Sequence, residues 1–107
     1  MTHDASKIVI ITEKIIADGV AGILEREGAT GYTMVAAGGK GSRGVRSATR
    51  PAIVADFANV KIEAIVPDME IAERIADAVA AEFFGNYSGI TYLEPVQILR
   101  KHKFVQP

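Results

Sequence analysis

Lys40, Arg43, Arg46 and Arg50 fall in one stretch, Gly38 to Pro51, with Gly38, Gly39, Gly41 and Ser42 at its head and no acid before Asp56. Glycine loses more backbone entropy on ordering than any other residue, so such a segment does not hold a regular element on its own. Backbone N–H groups beside cations are what an anionic ligand requires. The stretch reads as an anion-binding loop. It is not a Walker A loop: Lys40 is followed by Gly41 rather than Ser or Thr, position 34 is Met, and no helix start follows. A flexible hairpin with solvated charges is the competing reading of any basic loop. The glycines directly ahead of Lys40 and Ser42 favour the anion.

A second glycine-bearing segment, Gly85-Asn86-Tyr87-Ser88-Gly89, is by itself a helix-to-strand turn, since Gly and Asn both accept positive φ. Its further interest is polar: Asn86 and Ser88 offer side-chain groups, and Gly89 lets backbone approach a ligand. Facing the basic loop across a subunit boundary, it would complete one cleft. Other candidates are weaker. His3 sits near the N-terminus, read as unstructured, and His102 in a basic tail, so no metal cluster is expected. Lys61 and Glu63 share a strand face and read as a cross-strand or interfacial pair rather than an acid–base dyad. No triad spacing and no cysteine are present, so catalysis has no evident carriers.

The elements that must position these residues follow from periodicity. Lys7 to Thr12 is a β-branched run suited to a central strand buried on both faces. From about Glu13 to Glu27, Ile16, Val20, Ile23 and Leu24 recur at helical spacing; Thr12 is the expected N-cap, Glu13 belongs to the first turn, and Gly28 is the stop. Thr30 to Ala37 reads as a second strand running into the loop. Asn59 to Val66 alternates cleanly, with Val60, Ile62 and Ala64 on one face. Pro67-Asp68 opens a second helix with Ile71, Ile75, Ala78, Val79 and Phe83 as its buried stripe. Ile90 to Leu93 is the last strand, followed from Pro95 by Val96, Ile98, Leu99 and a basic end.

The order β-α-β-loop-β-α-β predicts a ferredoxin-like α+β sandwich, a four-stranded antiparallel sheet with both helices on one face. The other face keeps apolar side chains and needs a cover, which in a chain of 107 residues is most simply another copy of itself. The length fits one domain. A net charge of −1 makes general attraction to nucleic acid or acidic membranes unexpected, so the loop's cations are a local concentration. With no cysteine, no apolar signal core near the N-terminus and no run near ~18 apolar residues, the expected compartment is the cytoplasm.

Thr30-Gly31-Tyr32-Thr33, the loop head from Gly38 to Arg43, Val60-Lys61-Ile62-Glu63 and the Asn86-Tyr87-Ser88-Gly89 turn together resemble the PII-like signalling proteins, most closely their SbtB-like, carboxysome-associated branch. The likeness spans roughly Lys7 to Leu99. It implies residues 1–107 as a single PII-like domain, with a T-loop at 38–56, a B-loop at 85–89 and a basic tail at 100–107. It implies a homotrimer with adenine-nucleotide clefts between subunits. By position, Thr30, Gly38, Gly39, Lys40, Gly41, Ser42, Arg43 and Arg46 would line the cleft from one side, and Glu63 and Ile65 would meet adenine and its surroundings. Asn86, Tyr87, Ser88 and Gly89 would meet phosphate and ribose, with Arg100 near a phosphate. AMP, ADP or cyclic AMP is the implied effector, with bicarbonate beside Lys40, Arg43 and Arg46. The implied protein partner is a bicarbonate-type membrane transporter or a carboxysome-related protein.

The departures from the family also carry information. Residues 38–56 hold no tyrosine, so uridylylation is not expected. Gly85 to Gly89 holds no cation, which favours a mono- or diphosphate with Arg43 and Arg46 supplying charge. Without cysteine, the redox-gated tail of some SbtB relatives, and the hydrolysis associated with it, are not expected. Two rivals remain: a weak nucleotide phosphohydrolase, which lacks a clear general base, and an RNA-binding module, which would need aromatic residues on the middle strands.

Overall fold

The computed structural model describes residues 1–38 and 58–100. Four strands, β1 (His3–Glu13), β2 (Thr33–Ala37), β3 (Asn59–Val66) and β4 (Gly89–Ile98), form one antiparallel sheet of order β2-β3-β1-β4. Two helices, α1 (Ala17–Arg26) and α2 (Met69–Phe83), cover one face. This is the ferredoxin-like arrangement expected from the element order.

The core lies between sheet and helices. Ile8 and Ile10 from β1 and Val60, Ile62, Ala64 and Val66 from β3 meet Val20, Ile23 and Leu24 of α1 and Ala72, Ile75 and Val79 of α2. The alternation read in β3 holds residue by residue, with Val60, Ile62, Ala64 and Val66 all buried. β1 is central and closed on both faces: Ile8, Val9 and Ile10 have no accessible surface. The Asp68 carboxylate accepts the N–H of Ile71 at 3.0 Å and so caps α2. At the end of α1, Gly28 takes φ +99° and Ala29 N–H reaches back to the Leu24 carbonyl at 2.9 Å, a glycine-terminated cap.

Four boundaries differ from expectation, the first being β2, which begins at Thr33 rather than Thr30. β1 begins at His3 rather than Lys7, because β4 extends to Ile98 and pairs His3 with it; His3 is thus part of the sheet. β4 accommodates Pro95 because it is an edge strand, where a missing N–H donor can face outward. Thr12 and Glu13 end β1 instead of starting a helix. A 3-10 turn at Lys14–Ile16 precedes α1, whose N-cap is Ile16 with no side-chain bond. Thr12 is buried, and its hydroxyl is spent on another segment. Among the described residues, no helix is long and apolar enough to cross a membrane.

Candidate functional site

Both glycine-bearing segments spring from the same end of the sheet. β2 runs out at Ala37, paired with Asn59 at the start of β3; Asn59 pairs with Glu13 at the end of β1, and Thr12 pairs with Gly89 at the start of β4. The Lys14 N–H donates to the Ala58 carbonyl at 2.8 Å and ties the return of the basic segment to β1. Within this end, however, β2 and β4 are the two outer strands. At ~4.8 Å per strand spacing, the exit at Gly38 and the turn before Gly89 stand about 14 Å apart. One chain therefore presents the two segments at opposite edges of the sheet.

The turn after α2 is held from below by β1. Asn86 N–H and Tyr87 N–H both donate to the Phe83 carbonyl, at 3.1 and 2.9 Å. Glu13 Oε2 accepts from Ser88 N–H at 2.7 Å and from Ser88 Oγ at 3.2 Å. Thr12 Oγ1 donates to the Ser88 carbonyl at 2.7 Å. All three polar groups of Ser88 are thus engaged by the last two residues of β1, and three successive N–H groups of the turn have acceptors inside the chain. The Asn86 side chain and Gly89 are exposed. A side chain at Gly89 would meet the Phe84 ring at 2.5 Å and the Thr12 hydroxyl at 3.0 Å, so anything larger than glycine there requires the Phe84 ring to move. Tyr87 stacks edge-on against Phe83, with ring centroids 6.4 Å apart.

Glu63 and Ile65 lie mid-strand on the face of the sheet that the helices do not cover, as β3's alternation dictates. Thr30 lies in the connection that enters β2, beside this part of β3, since Thr33 pairs with Glu63. Arg100 lies just past β4, whose last residue, Ile98, is about 30 Å from Gly89 at ~3.3 Å per residue. Gly39, Lys40, Gly41, Ser42, Arg43 and Arg46 lie outside the described residues, as do residues 101–107. Of the expected site residues, the fold gathers Ser88 and Gly89 with the end of β1, places Gly38 at the same end on the far edge, and keeps Glu63 and Ile65 together on β3, with Thr30 in the connection before β2. Arg100 is remote from the turn.

The uncovered face has its own electrostatics. Lys7 Nζ meets Glu94 Oε1 at 3.1 Å across β1 and β4. This hydrogen bond, with further attraction from Glu63, holds the Lys7 ammonium above its usual range. Lys61 and Glu63 form no ion pair within the chain among the described residues, so the cross-strand pair on this face is Lys7–Glu94 instead. Around these charges stand Val35 (50% exposed), Ile90 (59%) and Tyr92 (40%).

Glu13, which holds the turn, is the residue that sequence reasoning missed. Residues 13 and 88 are joined only by the antiparallel pairing of β1 with β4, which no local pattern announces.

A ferredoxin-like sheet in which β2 ends, and a glycine-bounded turn enters β4, at the same end is the framework of a PII-like protein. The family model for nitrogen regulatory protein P-II matches residues 5–103, and the chain belongs to that family. Solved structures agree. CPII from Thiomonas intermedia K12 bound to ADP and bicarbonate is 30% identical, with a TM-score of 0.80 over 97% of each chain. CPII bound to ADP, AMP and acetate is 28% identical, with a TM-score of 0.78 over 98% of each chain. The apo form of CPII is 26% identical, with a TM-score of 0.73 over 94% of this chain and 97% of that one.

Proposed function

We propose that the chain is a non-enzymatic, trimeric PII-like sensor of the SbtB-like branch, which binds AMP, ADP or a related adenylate in clefts between subunits with bicarbonate as a second anion. The observation that carries this reading is that both glycine-bearing segments leave the same end of the sheet, but from its two opposite edge strands, β2 and β4. A neighbouring copy docked on the uncovered face brings the basic segment of one chain to the turn of the next. CPII, bound to ADP and bicarbonate, supports the ligand class. The Asn86 side chain and the surface of Gly89 face the nucleotide; Glu63 and Ile65 border the base; Arg43 and Arg46 neutralise phosphate. Ligand binding at residues 38–56 lets that segment regulate a partner in inorganic-carbon uptake or fixation from the cytoplasmic side.

A thermal-shift panel of AMP, ADP, ATP and cyclic AMP tests the first step. Stabilisation by at least one adenylate is expected, because a ligand that binds only the folded state raises the melting temperature with its concentration. No shift with any of the four overturns the reading.

A further inference from the structure

Thr12 is 2% exposed and lies beneath the turn, so a ligand does not touch it. Its hydroxyl donates to the Ser88 carbonyl at 2.7 Å, and a Cβ built on Gly89 would stand 3.0 Å from the same oxygen. The neighbouring Glu13 takes the Ser88 N–H and hydroxyl at 2.7 and 3.2 Å. The Ser88–Gly89 peptide is therefore held by β1. That peptide is trans, so its N–H points opposite to its carbonyl. With the carbonyl turned to the Thr12 hydroxyl, the Gly89 N–H turns away from it. Gly89 is exposed and opens β4, an edge strand. The N–H groups of Asn86, Tyr87 and Ser88 are taken up within the chain, which makes Gly89 the first amide of the three-residue run and its successor to be aimed outwards.

From this geometry we infer that Thr12 is a positioning residue: its hydroxyl, acting through the Ser88 carbonyl, aims the Gly89 N–H at a phosphate oxygen of the bound adenylate. The inference rests on the reading of the turn as part of an adenylate cleft and deepens it, by naming one donor and the group that orients it. A backbone donor held in place before binding adds no ordering cost when the ligand arrives. Without the Thr12 hydroxyl the ligand itself would have to order the peptide, and affinity would fall by that cost. Serine can supply the same hydroxyl; valine, of nearly the same shape, cannot.

The test is calorimetric titration of ADP and AMP into the wild type, Thr12→Val, Thr12→Ser and Ile23→Val, with amide exchange read at Gly89 in the presence and absence of the nucleotide. Ile23→Val trims a buried side chain of α1 and serves as a destabilised control. In the wild type the nucleotide should slow exchange of the Gly89 amide. Thr12→Val should weaken binding about tenfold, the size of one misplaced hydrogen bond to an anion, and should lose the slowing at Gly89. Thr12→Ser should bind as the wild type does, and so should Ile23→Val despite its lower melting temperature. A purely structural Thr12 would lower the melting temperature as Ile23→Val does and leave affinity alone. If Thr12→Val does not fold, Thr12→Ala, which also lacks the hydroxyl, takes its place. Wild-type affinity in the variant without the hydroxyl, or a Gly89 amide that the bound nucleotide leaves unchanged in the wild type, overturns the inference and leaves the adenylate reading standing. A wild type that binds neither ADP nor AMP overturns that reading and the inference with it.

Discussion

The two faces of the sheet are built from the same strands yet solve different problems. On the helix-covered face, Ile8, Ile10, Ile62 and Val66 are sealed by α1 and α2, and the chain completes its own core. On the other face, Val35, Ile90 and Tyr92 remain exposed, and Lys7 pairs with Glu94. A face that mixes apolar residues with a fixed ion pair suits an interface, where the apolar part is buried and the charges set register. The difference places the chain's own core on one face; on the proposed reading the other face serves assembly, and the segments at the sheet's edges meet only through it.

The largest effect should come from the covered face. Ile62→Ala removes a side chain with no accessible surface and should cost roughly 2–5 kcal/mol, the range for a buried large-to-small change. Denaturant unfolding would read it, and the loss should appear in any state of assembly. Val35→Asp with Ile90→Asp should do the reverse, keeping the secondary structure in circular dichroism while light scattering falls from the mass of a trimer to that of a single chain. A fully assembled double variant would place the interface elsewhere.

Next in size is the strand-end contact. Thr12→Val deletes the donor to the Ser88 carbonyl and should cost about 1 kcal/mol, the usual net worth of a hydrogen bond. The loss should be accompanied by faster amide exchange confined to residues near 85–89.

The smallest effect is a pH dependence on the helix side. Arg74 Nε lies 2.9 Å from Glu27 Oε1, and Arg26 Nε lies 3.6 Å from Oε2. The hydrogen bond from Arg74, with the charges of both arginines, lowers the Glu27 carboxyl below its ordinary value. Because the folded value is the lower one, the contribution is present above the ordinary carboxylate range and disappears as pH falls through the folded value. Arg74→Ala should therefore narrow the stability difference between neutral and acidic pH, measured by thermal unfolding at a series of pH values. A difference equal to wild type would mean that the pair contributes nothing, as exposed pairs often do.

The covered face was legible in the sequence because its rules are local. Val60, Ile62 and Ala64 alternate, Ile16, Val20, Ile23 and Leu24 recur at helical spacing, and Asp68 and Gly28 punctuate the helices. The site was legible only in parts. The glycine-bearing segments stand out by composition, but Thr12 and Glu13 look like a helix start. What reassigns them is pairing with a strand more than 75 residues away, where Ser88 gains three hydrogen bonds at once. His3 and Pro95 were misjudged for the same reason, since the extent of β1 and β4 is set by each other rather than by either segment alone.

Central to this account is that the adenylate site needs two chains. Titrating ADP, with and without bicarbonate, into the wild type and into the Val35→Asp, Ile90→Asp double variant addresses it directly. The wild type should bind about one ADP per chain, and the dissociated variant should lose measurable binding while staying folded. Equal binding by the single-chain variant would put the whole site within one protomer and contradict the account.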